Sequence, residues 1–277
     1  MTFVPEASVR ETSFRDAGGE PVSALLCTGI ADGPKAGLLF VHWGFGDRTS
    51  FQSEATAYAA SGATSLLIDA PGFGLRKGMR VPARSDARAV RAYAEHFIGD
   101  LQRSIDFLCE QPTVDAARLG FVGHSLGATI AGAFLAREPR VKAAVLAGGT
   151  GALSRLWLTA RDPEGARSLE YLDGVRCLPQ ANASLFLQFA ERDGFISSAD
   201  ADAQIAAARE PKRVKWYACD HAFGDEALQD RAAWLAQQLG WPSAPQGTEE
   251  VSLPRSQLWR YRAIKRLLRV ASWFGRR

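Results

Sequence analysis

Three residues in this chain of 277 each follow or close a short apolar run, and their types suit one chemistry. Ser125 stands in Gly123-His124-Ser125-Leu126-Gly127, at the seam between a strand-like run (118–124) and a helix-like run (126–138). Asp193 closes the run 183–193, and His221 closes the run 213–221. A serine hydroxyl is a weak nucleophile alone and needs a base beside it. An imidazole can take that proton and return it to a leaving group, while a carboxylate holds the ring in one tautomer and stabilises its charged form. Serine, aspartate and histidine in this chain order are therefore candidates for acyl transfer through a covalent intermediate.

The two glycines sharpen that reading. A Gly-x-Ser-x-Gly turn between strand and helix is tight, holds the serine in a strained conformation, and tolerates only small residues at its flanks. Gly123 and Gly127 would make room for Ser125 Oγ to stand off the sheet edge. The backbone N–H of Leu126, at the start of the following helix, would face the site where an oxyanion forms. A second donor should come from the loop His42-Trp43-Gly44-Phe45-Gly46 after the run 36–43. Gly44 is the favoured donor, with Trp43 and Phe45 as the other candidates. Among the histidines, His124 is wrongly aimed for a base, His96 lies within a helical stretch and His42 precedes the loop, so His221 is left as the base. Asp69, Glu191 and Asp220 compete with Asp193; Asp69 precedes Pro71-Gly72 and suits a turn. Phe45, His124, Phe195 and Trp157 are expected to line the substrate cleft, and an aromatic lining favours apolar acyl or aryl groups.

These residues need elements to hold them. Residues 9–15 and 21–28 read as a hairpin around Asp16-Ala17-Gly18-Gly19. Buried strands are then expected over 36–43, 63–74 (breaking at Pro71-Gly72), 118–124, 141–149, 183–193 and 213–221, with helices over 50–62, 84–111, 126–138, 199–209 and up to Leu239. Apolar strands alternating with helices imply an α/β fold with a mostly parallel sheet covered on both faces. In such sheets ligands bind beyond the C-terminal strand ends, where Ser125, Asp193 and His221 fall. Residues 150–182, after the sixth strand, interrupt the alternation as a short cap-like insertion or a long crossover.

Taken together, "GHSLG", "FVHWGFGDRTSF", "LLIDAPGFG", "AERDGFI" and "CDHAF" resemble the α/β-hydrolase superfamily, in its dienelactone-hydrolase-like esterase branch, over about residues 20–240. The resemblance implies the α/β-hydrolase fold and a serine esterase or thioesterase that needs no metal or organic cofactor. Two departures stand out. Dienelactone hydrolases proper use a cysteine nucleophile where this chain has Ser125, and Trp43 replaces the first glycine of the family's His-Gly-Gly or His-Gly-x loop. An acyltransferase or amide hydrolase would use the same machinery, and a binding module could keep the fold without turnover.

Composition bounds the rest. With 47% hydrophobic and 23% charged residues, the chain suits one large domain, expected over residues 1–242. Residues 243–254 read as a linker. Residues 255–277 hold eight Lys or Arg and no acid against a formal total of +3, so residues 1–254 carry −5. On a helical wheel Arg255, Arg262, Lys265, Arg266, Arg269 and Arg276 fall within an arc of about 100°, opposite Tyr261, Ile264, Leu267, Leu268, Val270 and Phe274. Such a basic amphipathic helix suits docking on an anionic membrane or a protein partner, or packing on the acidic body. Nucleic acid is disfavoured because the basic residues are confined to this one helix. Cys27, Cys109, Cys177 and Cys219 form no metal-spaced pair. With no signal-peptide pattern and no apolar run of about 18 residues, a cytoplasmic location is expected, with peripheral contact at the inner membrane surface through the tail.

Overall fold

Strands apolar along their whole length belong where both faces of a sheet are covered. The computed structural model describes residues 7–29, 33–83, 86–154 and 162–241. Within these, β1 (Ser8–Arg15), β2 (Pro21–Thr28), β3 (Lys35–Val41), β4 (Ala63–Ile68), β5 (Val114–His124), β6 (Val141–Ala147), β7 (Ser184–Ala190) and β8 (Lys212–Tyr217) form one sheet in the order β1-β2-β4-β3-β5-β6-β7-β8. β1 and β2 are an antiparallel hairpin with Ser8 opposite Thr28 and Arg15 opposite Pro21. β2 is antiparallel to β4, and the neighbours from β4 to β8 are parallel.

The helices are α1 (Gln52–Ala60), α2 (Ala87–Cys109), α3 (Leu126–Leu135), α4 (Pro163–Leu169), α5 (Gly174–Cys177), α6 (Ser198–Ala207) and α7 (Asp225–Leu239). Successive strand residues point to opposite faces, so adjacent numbers divide between two cores. Leu39, Val41, Ile68, Phe121, Leu146 and Leu187 pack with Phe97 and Leu101 of α2 and Phe134 of α3. Leu38, Phe40, Leu67, Val122, Val145 and Phe186 pack with Tyr58 of α1 and Trp234 of α7. This is the mostly parallel sheet covered on both faces that the alternation predicts, in the arrangement that the resemblance implies.

The differences from expectation are local. β5 begins at Val114, four residues early, because Val114 pairs with Lys35 although the stretch is only half-buried. β8 stops at Tyr217, and residues 218–221 form a turn in which Cys219 N donates to Tyr217 O at 2.7 Å. Residues 162–182 carry the short helices α4 and α5. Asp173 anchors this segment: Oδ1 accepts from Ser154 N and Oδ2 from Ser154 Oγ, each at 2.7 Å. Trp157, the linker 243–254 and the tail 255–277 lie outside the described residues. No described helix is long and apolar enough to cross a membrane.

Candidate active site

Ser125 sits between β5 and α3 with φ 51° and ψ −101°. Only Ser125 and Phe223, among the described non-glycine residues, have positive φ. That conformation costs on the order of 1–3 kcal/mol and persists only where the surroundings enforce it. Here they do. A Cβ on Gly123 would lie 2.6 Å from the Gly127 carbonyl carbon, and one on Gly127 would lie 2.3 Å from Val41 O. Both glycines are therefore required by close backbone approach. The Ser125 side chain does not cap the helix it precedes, so Oγ is not occupied by the backbone. Ser125 N donates to Ala147 O at 2.8 Å, which fixes the turn against the end of β6.

Asp193 and His221 meet two strands away. β7 ends at Ala190, and Arg192 N donates to Cys219 O at 3.0 Å, which draws the loops after β7 and β8 together. Asp193 Oδ1 accepts from Phe195 N at 2.8 Å and Ile196 N at 3.1 Å. This local turn fixes the carboxylate and leaves Oδ2 for His221 Nδ1, at 2.7 Å. A carboxylate can only accept from the neutral ring, so Nδ1 carries the proton and Nε2 is left to take one. The ring is seated over Gly148, at the end of β6, where a Cβ would stand 3.1 Å from His221 Cε1. Among the described residues no hydrogen bond joins Ser125 Oγ to His221. Such contacts commonly tighten only with substrate bound.

The loop after β3 is a β-turn in which Gly46 N donates to Trp43 O at 3.0 Å. Such a turn uses the N–H of its fourth residue and leaves those of Gly44 and Phe45 available. A Cβ on Gly44 would meet nothing within 4 Å, whereas one on Gly46 would lie 2.5 Å from Ser50 Oγ. His42 holds the turn from below. Its Nε2 accepts from Ala70 N at 3.0 Å, so its proton is on Nδ1 and is donated to Trp43 O at 2.6 Å. Burial keeps this imidazole neutral by pushing its pKa below the ordinary value, against the opposing pull of the Trp43 carbonyl and of Asp69 and Asp47. Asp69 is occupied in its own turn, accepting from Arg48 N at 2.7 Å and Leu75 N at 2.9 Å. Asp220 Oδ1 accepts from Ala222 N, and Glu191 is exposed.

The expected lining residues separate. Phe45 is 46% exposed, and Phe195 is half-buried with its ring 4.8 Å from that of His221. Trp43 and His124 are buried, with ring centroids 5.2 Å apart. Sequence reasoning missed Gly148 and Phe223. The glycine pair after β6, in "VLAGGT", was the one available signal. Away from the site, ligand atoms of Asp16, His96 and Asp100 lie within 4.8 Å of one another. That cluster already contains a cation, Arg76, whose Nη1 is 2.6 Å from Asp100 Oδ2. Its geometry is that of an ion-pair cluster tying the β1–β2 turn to α2.

A model of the dienelactone hydrolase family matches residues 82–246. An uncharacterized protein of Mycobacterium tuberculosis (strain ATCC 25618 / H37Rv) is 24% identical over 202 residues, 71% of this chain and 61% of the relative. The chain thus spans less than two thirds of the length of the curated relatives it matches. Among solved structures, an acetyl xylan esterase from Paenibacillus sp. R4 superposes with a TM-score of 0.73 at 19% identity, over 84% of this chain and 85% of that one. Acetyl xylan esterase 1 from Thermoanaerobacterium sp. JW/SL YS485 gives 0.68 at 19%, over 86% and 89%. The esterase domain of a Rhodothermus marinus protein gives 0.63 at 20%, over 84% and 100%. At these identities the likeness is one of fold.

Proposed function

Because this chain belongs to the dienelactone hydrolase family, we propose that it is a serine hydrolase that cleaves a carboxylic ester or thioester through an acyl-enzyme on Ser125. One juxtaposition carries the reading. An uncapped serine at φ 51° follows β5, and an imidazole–carboxylate pair at 2.7 Å follows β8 and β7, all at the same end of the sheet. An ester is also the substrate for which the acetyl xylan esterases of similar fold are named.

Ser125 Oγ attacks the carbonyl carbon as His221 Nε2 takes the hydroxyl proton. Asp193 holds the ring and stabilises the imidazolium. The oxyanion is received by Leu126 N–H, which as the first helical residue has no intrahelical partner, and by an N–H of the 43–46 turn, with Gly44 favoured. Collapse breaks the ester bond, and His221 returns the proton to the departing alcohol or thiol. Water then attacks the acyl-enzyme by the same route and releases the acid. No step requires a metal or organic cofactor. Phe45 and Phe195 favour an apolar acyl or aryl group.

Intact mass after a fluorophosphonate probe tests this. Wild type should gain one adduct and Ser125→Ala none, and ester turnover should fall by about 10⁴-fold or more in the variant. A wild type that takes no adduct would overturn the assignment. The basic segment 255–277 is proposed, from its sequence, to dock on anionic membrane surfaces.

A further inference from the structure

His124 is the residue between the glycine and the serine of the turn, expected from the sequence to line the substrate cleft. Its side chain leaves β5 on the face that Val122 shares with α7. There it is buried, at 6% exposure, so it has little surface to offer a substrate. Its Nε2 is 2.8 Å from the backbone oxygen of His221. A carbonyl oxygen can only accept, so Nε2 carries the proton and donates. Burial, reinforced by the Arg231 charge, holds the ring neutral by pushing its pKa well below the ordinary value, against the pull of the His221 carbonyl. Three rings enclose it: Trp43 at 5.2 Å, His221 at 5.1 Å and Phe223 at 5.5 Å between centroids. One side chain therefore touches the oxyanion turn, the loop that carries the base, and the strained Phe223 beyond it.

We propose that His124 is a positioning residue: by donating Nε2–H to the His221 carbonyl it fixes the peptide that carries the base, and by packing on Trp43 it sets that peptide against the oxyanion turn. β8 ends at Tyr217, and beyond it Arg192 holds the loop, its N donating to Cys219 O and its Nη2 to Ala218 O, while the other described backbone bonds between 218 and 224 are short-range turns; the His124 bond is made at His221 itself. Without the His124 donor, the buried carbonyl of His221 is unsatisfied, and the loop relaxes by turning its peptide. That movement draws Nδ1 away from Asp193. The inference rests on His221 being the base of the proposed hydrolase.

The test uses the full chain and two substitutions. His124→Phe keeps a ring among the aromatics but has no donor. His124→Gln keeps an N–H that can reach the same carbonyl. With a p-nitrophenyl ester, His124→Phe should lower kcat by about tenfold to a hundredfold with KM nearly unchanged, as expected for misplaced catalytic groups. His124→Gln should restore most of the loss. In ¹⁵N-histidine-labelled protein, the Nδ1–H signal of His221 should be protected from exchange in wild type and His124→Gln, and lost in His124→Phe. If His124→Phe does not fold, His124→Leu takes its place as the variant without a donor. Equal impairment in the Gln and Phe variants, or a Phe variant with wild-type kcat and a protected signal, overturns the inference. The exchange readout does not depend on turnover. A wild type that takes no fluorophosphonate adduct yet shows this exchange pattern would remove the hydrolase reading, and with it the catalytic consequence, and leave only the fixing of the His221 ring by His124.

Discussion

His42 and His124 are both 6% exposed or less, and both are neutral in the folded chain because burial outweighs the groups that favour their charged forms. An unfolded chain has no such constraint, and each ring takes up a proton below about pH 6.5. From that pH downward the unfolded state binds more protons than the native state, so stability falls as pH falls, until the depressed native pKa values are reached. The slope is about 1.4 kcal/mol per pH unit for each histidine. Urea denaturation at pH 7, 6 and 5 should show this decline in wild type. A double variant, His42→Gln with His124→Gln, should have a slope shallower by up to about 2.7 kcal/mol per unit; an unchanged slope would mean the rings titrate normally in the native state. At this scale the sequence was informative about position: Ser125, Asp193 and His221, read as following or closing apolar runs, lie directly after β5 and in the loops after β7 and β8. Gly148 and Phe223 did not announce themselves, since a glycine after a strand has many uses and a positive φ at phenylalanine leaves no mark in composition.

Among elements, α1 and α7 meet through a buried ion pair. Arg231 Nε and Nη2 each lie 2.6 Å from an oxygen of Glu54, and Tyr58 Oη donates to Glu54 Oε1 at 2.7 Å. The Arg231 side chain is 5% exposed and that of Glu54 is fully buried. The neighbouring Glu54 carboxylate raises the guanidinium pKa against burial, so Arg231 stays charged. Removing one partner leaves a charge without compensation, which costs about 3–5 kcal/mol, whereas replacing both with apolar residues of similar volume is near neutral. Arg231→Met should accordingly lose that much stability in urea denaturation at pH 7, and Arg231→Met with Glu54→Leu should recover most of it. A double variant as unstable as the single would refute this account. The strands were legible because "LLFV", "SLLI" and "GFV" are apolar on both faces, which only a covered sheet requires. The ion pair was not. Glu54 and Arg231 lie 177 residues apart, in helices whose composition reads as ordinary solvated surface. β5 likewise began earlier than its apolar run, since pairing with β3 fixes its start.

For the whole molecule, the parallel strands place their C-terminal ends, and with them the loops carrying Ser125, Asp193 and His221, at one end of the sheet. Charge is distributed just as unevenly along the chain, with −5 on residues 1–254 and eight basic residues in 255–277. Each basic residue near an anionic surface is worth about 1 kcal/mol. The 277-residue chain should therefore cosediment with vesicles containing phosphatidylserine at low salt, and a chain ending at residue 254 should not. Vesicles that fail to retain the 277-residue chain would exclude membrane docking. The strand order has one further consequence, which concerns synthesis. Ser125 and the proposed N–H donors emerge mid-chain, whereas His221 follows β8, the last of the described strands in sequence and the outermost of them on its side of the sheet. On the proposed assignment, a ribosome-bound chain would carry its nucleophile long before it carried a base, and would stay chemically silent toward esters around it until β8 had docked.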